Sequence, residues 1–292
     1  MTTAQYVFLG GVAALAVGLW LYWNRKRHRD AAAVATPFPE NWRTLLGQRV
    51  AFYRALSPAE QRRFEQRMLL FLGRTRISGI ETEVDDLTQV LVAASAVIPI
   101  WGFPDWEYPN LREVLIVPDV WQEKPDPERE FTGLQGTLLG SVQEFQDDHY
   151  MRLSKSALER GFRDWQNGEN VGLHEFAHVL DHADGRVNGA PALALPPELQ
   201  AAWADVVQHE LARVRRGSGI LNPYAGTSEA ELFAVAVESF FEEPHRLAEH
   251  HPDLYALLSK ALGQQPVQRF GRLNLSRLVR RGGGGRGAEG RG

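Results

Sequence analysis

The pentapeptide His174-Glu175-Phe176-Ala177-His178 constrains this chain more than any other stretch of it. Two imidazoles four residues apart share a face when the backbone between them is an α-helix. In that geometry both rings reach one metal ion from the same side. Glu175 then stands beside the ion, where a base can take a proton from a metal-activated water. The chain contains no cysteine, so disulfides and thiolate ligands are excluded, and a metal site must be built from His, Asp and Glu.

A catalytic zinc takes three protein ligands and leaves its fourth position to water. Three candidates compete for the third place. Asp184 falls at the spacing where one class of zinc peptidases puts its last ligand after a glycine turn, but Asp181 stands at the turn position, where the bend would strain a β-carbon. Asp181 shares the face of His174 and His178 and is better placed to orient an imidazole N–H than to bind metal. The third candidate lies downstream, in NPYAGTSEAELFAVAVESFF (222–241), which puts Glu229, Glu231 and Glu238 on one predicted helix. Glu231 and Glu238 are seven apart on a largely apolar face, where a carboxylate is costly unless it is paired or metal-bound. Glu229 reads as a surface carboxylate.

With 292 residues and 44% hydrophobic content, the chain can bury a real core. Its net charge of −4 is unevenly spread. Residues 1–30 and 280–292 each carry +3, which leaves −10 on residues 31–279. An acidic body argues against nucleic acid as the main partner.

Tyr6 to Trp23 is an uncharged run of 18 residues with aromatic residues near both ends, and Arg25, Lys26, Arg27 and Arg29 follow it at once. The expectation is a single transmembrane helix in the inner (cytoplasmic) membrane, with the rest of the chain in the cytoplasm by the positive-inside rule. The basic run is then membrane-proximal charge that contacts anionic lipid. The organisation expected is an anchor (1–24), a basic juxtamembrane segment and linker (25–41), one domain (42–279) and a disordered Gly/Arg tail (280–292).

Within the domain, Ser57, Pro58 and Glu60 open a helix over 56–72 with a capping box. Residues 87–100 read as a buried helix, with a strand as the alternative for its last part, 111–118 as a strand ended by proline, and 149–155 as a second, more exposed strand. The metal motif falls on a helix over 169–182, and further helices follow over 196–215 and 228–243. The fold class is α+β, mostly helical with a small sheet. His182 reads as a surface or supporting histidine. His245, His250 and His251, which follow Pro244, read as an exposed turn. Trp101, Phe103, Trp106 and Tyr108 read as core packing at a proline-bent corner.

The pairing of HEFAHVLD with NPYAGTSEAELFAV and the following ESFF resembles the Mlc titration factor A family of zinc-dependent peptidases. The active-site arrangement of that family is similar to the gluzincin-type catalytic domain of anthrax lethal factor. Trp42, the Leu56-Ser57 helix start, the Ala-rich segment 91–97, the Val117-Pro118 strand end and DGRVNGAP (184–191) match as well, and the resemblance covers roughly residues 40–270. It implies a zincin-like metallopeptidase domain with His174, His178 and Glu231 as ligands of Zn2+, Glu175 as general base, and Tyr224 over the metal as oxyanion donor. Asp181 and Glu238 are the expected supporting residues around the ligands.

The resemblance implies a peptide or protein substrate. The family's name also records sequestration of a transcriptional repressor, so a regulatory binding protein is the rival expectation. The N-terminal segment and the Gly/Arg tail lie outside the family pattern.

Overall fold

The chain enters as one long helix, α1 (Thr3–Ala35), in a computed structural model that describes residues 3–103, 106–108, 111–118, 140–145, 148–184, 189–191, 195 and 197–271. The helix does not stop at the basic cluster. It runs through the segment read as a linker, because alanines 31–33 and 35 are strong helix formers, and it ends just before Pro37.

Its last turns lie against α4 (Pro58–Leu72). Arg74, just beyond α4, donates to both carboxylate oxygens of Asp30, and a Cβ at Gly73 would stand 3.3 Å from that of Ala33. Among the described residues, no helix is long and apolar enough to cross a membrane. In the apolar run of α1, the side chains of 6–10, 13, 14, 19, 22 and 23 lie outside the described residues, as does the whole Gly/Arg tail. The expected transmembrane helix therefore gains no support from the structure.

Two short helices, α2 (Glu40–Arg49) and α3 (Ala51–Arg54), lead into α4, whose first turn carries the expected capping box between Ser57 and Glu60. The sheet has the order β1-β2-β4-β3. Strands β1 (Arg76–Gly79), β2 (Leu111–Val117) and β4 (Asp148–Ser154) run parallel, and β3 (Gly140–Phe145) closes one edge antiparallel to β4.

The strand expected to be more exposed, β4, is instead central, with Met151 and Leu153 fully buried. The buried helix α5 (Asp86–Val97) is capped by Asp85, which accepts from Thr88 N. It packs on α4, α6 (Lys155–Arg163) and α7 (Val171–Asp181).

The C-terminal half adds α8 (Gln200–Arg215), α9 (Glu229–Glu242), α10 (Pro244–His250), α11 (Pro252–Ala261) and α12 (Pro266–Gly271). Pro244 opens α10 rather than an exposed turn, since proline suits the first turn of a helix. His251, at the junction of α10 and α11, is fully buried against Glu210, which corrects its reading as an exposed residue. The aromatic residues of 101–108 do pack inward: Tyr108 lies with its ring 5.0 Å from that of Phe176, and Phe71 lies 5.7 Å from it on another side.

Candidate metal centre

Helix α7 begins at Asn170, whose side chain caps it by accepting from Leu173 N. Its inner face is set by close packing. A Cβ at Gly172 would lie 2.1 Å from Ser95 Oγ, so only glycine lets α7 approach α5 this closely. Phe176, fully buried between the rings of Phe71 and Tyr108, fixes the helix in rotation. That rotation turns His174 and His178 toward α9, which runs antiparallel to α7. Glu238 and Glu242 of α9 meet the start of α7, and Glu231 meets its middle.

His174, His178 and Glu231 form the one His/Asp/Glu group among the described residues whose donor atoms are placed to hold a metal ion, all within 4.8 Å of one another. His174 Nε2 lies 3.1 Å from His178 Nε2 and 3.1 Å from Glu231 Oε2, and His178 Nε2 lies 3.5 Å from Glu231 Oε1. His174 Nδ1 faces Glu238 Oε1 at 2.7 Å, which places a proton on that nitrogen. Its Nε2 then faces Glu231 Oε2 and the Nε2 of His178, and a cation among the three would satisfy all of them. Donors bound at roughly 2.0–2.2 Å in a tetrahedron stand about 3.4 Å apart, close to the separations observed. Two imidazoles and a carboxylate are a zinc-type donor set, so the residues present fit such an ion.

Glu175 is 4% exposed, and its Oε2 finds no hydrogen-bond partner among the described residues. Burial raises its pKa above the usual carboxylate range, while His174 and His178 pull it down and Glu231 and Glu238 push it up. Burial also opposes protonation of His174, yet Glu238 and Glu231 hold that imidazole well above its ordinary range. For Glu231, burial acts upward, but its bonds to His174 and His178 keep it far below the usual carboxylate value. Negative charge thus converges on the two rings.

Tyr224 sits on a short 3-10 turn, Pro223–Gly226, with its ring 6.1 Å from that of His174 and 44% of its surface exposed. Burial, followed by the charge and hydrogen bond of Glu231, pushes its phenol up to about 12, so it stays a donor at neutral pH.

A family model described as glucose-regulated metallo-peptidase M90 matches residues 21–262. The chain belongs to that family. Similar curated proteins include the uncharacterized protein slr2042 of Synechocystis sp., 30% identical over 259 residues that cover 85% of this chain and 90% of that protein. Mlc titration factor A of Klebsiella pneumoniae is 29% identical over 231 residues (74% of this chain, 83% of that protein). Mlc titration factor A of Escherichia coli is 26% identical over 268 residues, 86% of this chain and 95% of that protein. The M90 assignment makes this a member of a metallopeptidase family, and its model covers both helices of the His/His/Glu group.

Within that M90 frame, the structure brings His174, Glu175, His178, Tyr224, Glu231 and Glu238 together. Asp181, expected to orient an imidazole, instead accepts from the backbone N–H groups of Gly189 and Ala190 at 3.0 Å each, and so braces the loop after α7. The side chain of Asp184 lies outside the described residues. Glu229 is engaged by Gln208 at the surface.

Two residues that support the site escaped sequence reading. Asn170 both caps α7 and bridges to α9: its N–H donates to Glu238 Oε2 and its amide to Glu242 Oε1. An Asn before an apolar helical run is a cap signal that points to the first of these roles. Glu242 lies four residues after Glu238, one turn further along the same face, and that spacing is the only hint of its role.

Proposed function

We propose that this protein is a zinc-dependent peptidase that hydrolyses peptide bonds with Glu175 as general base. The observation that carries the reading is the buried oxygen of Glu175, unpartnered among the described residues, beside three donors at zinc-type separations. His174, His178 and Glu231 would hold the zinc ion, which when bound would supply a Lewis acid able to lower the pKa of water from ~16 towards ~7. Glu175 takes the proton of the attacking water and later delivers it to the leaving amine, a task suited to a carboxyl held above its usual range. Tyr224, still protonated, donates to the oxygen that gains charge on the scissile carbonyl. Glu238 keeps the His174 ring turned to its working nitrogen.

A peptide is favoured as substrate because β3 is an antiparallel edge strand near α7, and among the described residues nothing pairs with its outer side. An extended chain can add there by main-chain hydrogen bonds. Purified protein is expected to retain zinc and to cleave members of a peptide library. Glu175→Gln should keep the metal and lose at least about 100-fold in turnover. Full activity in that variant, or no metal uptake by the wild type, overturns the reading.

The relatives' name, Mlc titration factor A, favours a second role: binding of a transcriptional repressor by the surface of the domain. A His174→Ala variant that keeps the cellular role points to binding; one that loses it points to the metal centre. For location, the sequence of residues 6–29 supports insertion in the inner membrane with the domain facing the cytoplasm. Val12, Leu15, Val17 and Trp20 stand exposed along α1. Recovery of the full chain in the high-salt soluble fraction would reject that location.

A further inference from the structure

We propose that the buried pair Glu210–His251 is a positioning device for Tyr224, acting through the backbone of residues 219–222. This builds on the peptidase reading above. His251 is 0% exposed and lies far along the chain from the metal motif. Its Nε2 accepts from the N–H of Ile220 at 3.2 Å, so its proton sits on Nδ1, which faces Glu210 Oε2 at 2.7 Å. Arg213 pins Glu210 in turn, with Nη1 3.0 Å from its Oε1.

The loop is shaped to the ring. Gly219 has φ +100°, and a Cβ there would fall 2.6 Å from His251 Cε1, so this position demands both a positive φ and no side chain.

From Ile220 the chain runs straight to the 3-10 turn that carries Tyr224. Asn222 Oδ1 accepts from Tyr224 N at 3.0 Å, Thr227 Oγ1 donates to Tyr224 O at 2.8 Å, and Arg215 Nε donates to Gly226 O at 2.8 Å. Ala225, fully buried, seats the turn between them. The backbone under Tyr224 is therefore held firmly, while its ring is open to solvent and substrate. The bond from Ile220 to His251 fixes the loop at its entry. Without it, the segment between α8 and the turn has two glycines with positive φ, at 217 and 219, about which it can pivot.

Asparagine and glutamine at position 251 separate the two halves of the imidazole. Asn places an amide near Nδ1 and keeps the bond to Glu210, but it offers nothing at the Nε2 position. Gln reaches the Nε2 position and can accept from Ile220. In zinc-loaded protein, His251→Asn should lower kcat about 10- to 100-fold with metal affinity unchanged, since a displacement near 1 Å of a catalytic group has effects of that order. His251→Gln should recover most of it.

Combined with Tyr224→Phe, His251→Asn should add no further loss, because the group it positions is already gone. A purely stabilising pair predicts otherwise: normal kcat per folded, zinc-loaded molecule in His251→Asn, or losses that multiply with Tyr224→Phe. Either result overturns the proposal. Should His251→Asn fail to fold, Gly219→Ala, whose Cβ would press against the His251 ring and so displace the same loop, is expected to give the same kinetic signature. Limited proteolysis within residues 216–222 reads the loop without reference to turnover. Faster cutting in His251→Asn than in wild type is expected, and equal rates overturn the proposal. A wild type that lacks turnover sinks the peptidase reading separately.

Discussion

Replacing Glu242 by Gln should change how the stability of this protein depends on pH, and the size of the change follows from one buried carboxyl. Glu242 sits nearly out of solvent at the end of α9, where it accepts from Gln166 N at 2.8 Å and from the amide of Asn170 at 3.1 Å. Burial, opposed by those two bonds and reinforced by the neighbouring charges of Glu238 and Glu243, lifts its pKa from an ordinary 4.5 to about 7. At about 1.36 kcal/mol per pH unit, that displacement corresponds to roughly 3 kcal/mol.

The sign follows from where the proton resides. Below pH ~4.5 the folded and unfolded chains both hold it, and the full stabilisation is present. Between ~4.5 and ~7 only the folded chain keeps it, so stability falls as pH rises, and above ~7 the loss is complete. A glutamine side chain cannot titrate. Urea denaturation in the presence of chelator, which removes metal linkage, should therefore show the Glu242→Gln variant gaining about 3 kcal/mol relative to wild type between pH ~4.5 and pH ~8. Parallel stability curves across that range would refute the account of Glu242 as a carboxyl kept neutral by burial.

Glu238→Gln should weaken metal affinity about 10- to 100-fold by loosening the His174 ring, as measured by competition with a chromophoric chelator. Asp181→Ala should cost about 1–3 kcal/mol in denaturation while leaving metal affinity unchanged, because two backbone N–H groups lose their acceptor. A large drop in affinity would restore the imidazole-orienting role expected from sequence.

The helices that carry the His/His/Glu group were legible in the sequence because their chemistry is periodic. His174 and His178 share a face at any helical register, and Glu231 stands out as a carboxylate within an apolar stripe. Caps were legible for a similar reason: Ser57 and Glu60 act through fixed short-range geometry. What failed was contact that depends on distant chain. Asp181 has the right helical phase to meet an imidazole, but the following loop folds back and presents two N–H groups to it.

His251 stands seven residues after Pro244 in a polar stretch, so nothing local announces that Glu210, 41 residues earlier, will meet it. Strand β1 has only four residues, too short for alternation to register. Strand β4 was placed correctly in sequence but misjudged in exposure, because its alternation is weak and its burial comes from two flanking strands.

The ion pair between Asp30 and Arg74 gives the N-terminal helix a mechanical character. Arg74 also grips Glu107, next to Tyr108, whose ring abuts Phe176, so α1 is bolted to the body at one end rather than trailing from it. Thirty-three helical residues make a rod about 50 Å long. Whatever holds its far end is set at a defined distance and angle from the cluster of histidines. Removing one residue from 25–29 would then draw the body in by about 1.5 Å and swing it by about 100° around the rod's axis, a rotation that a slack tether would absorb unnoticed.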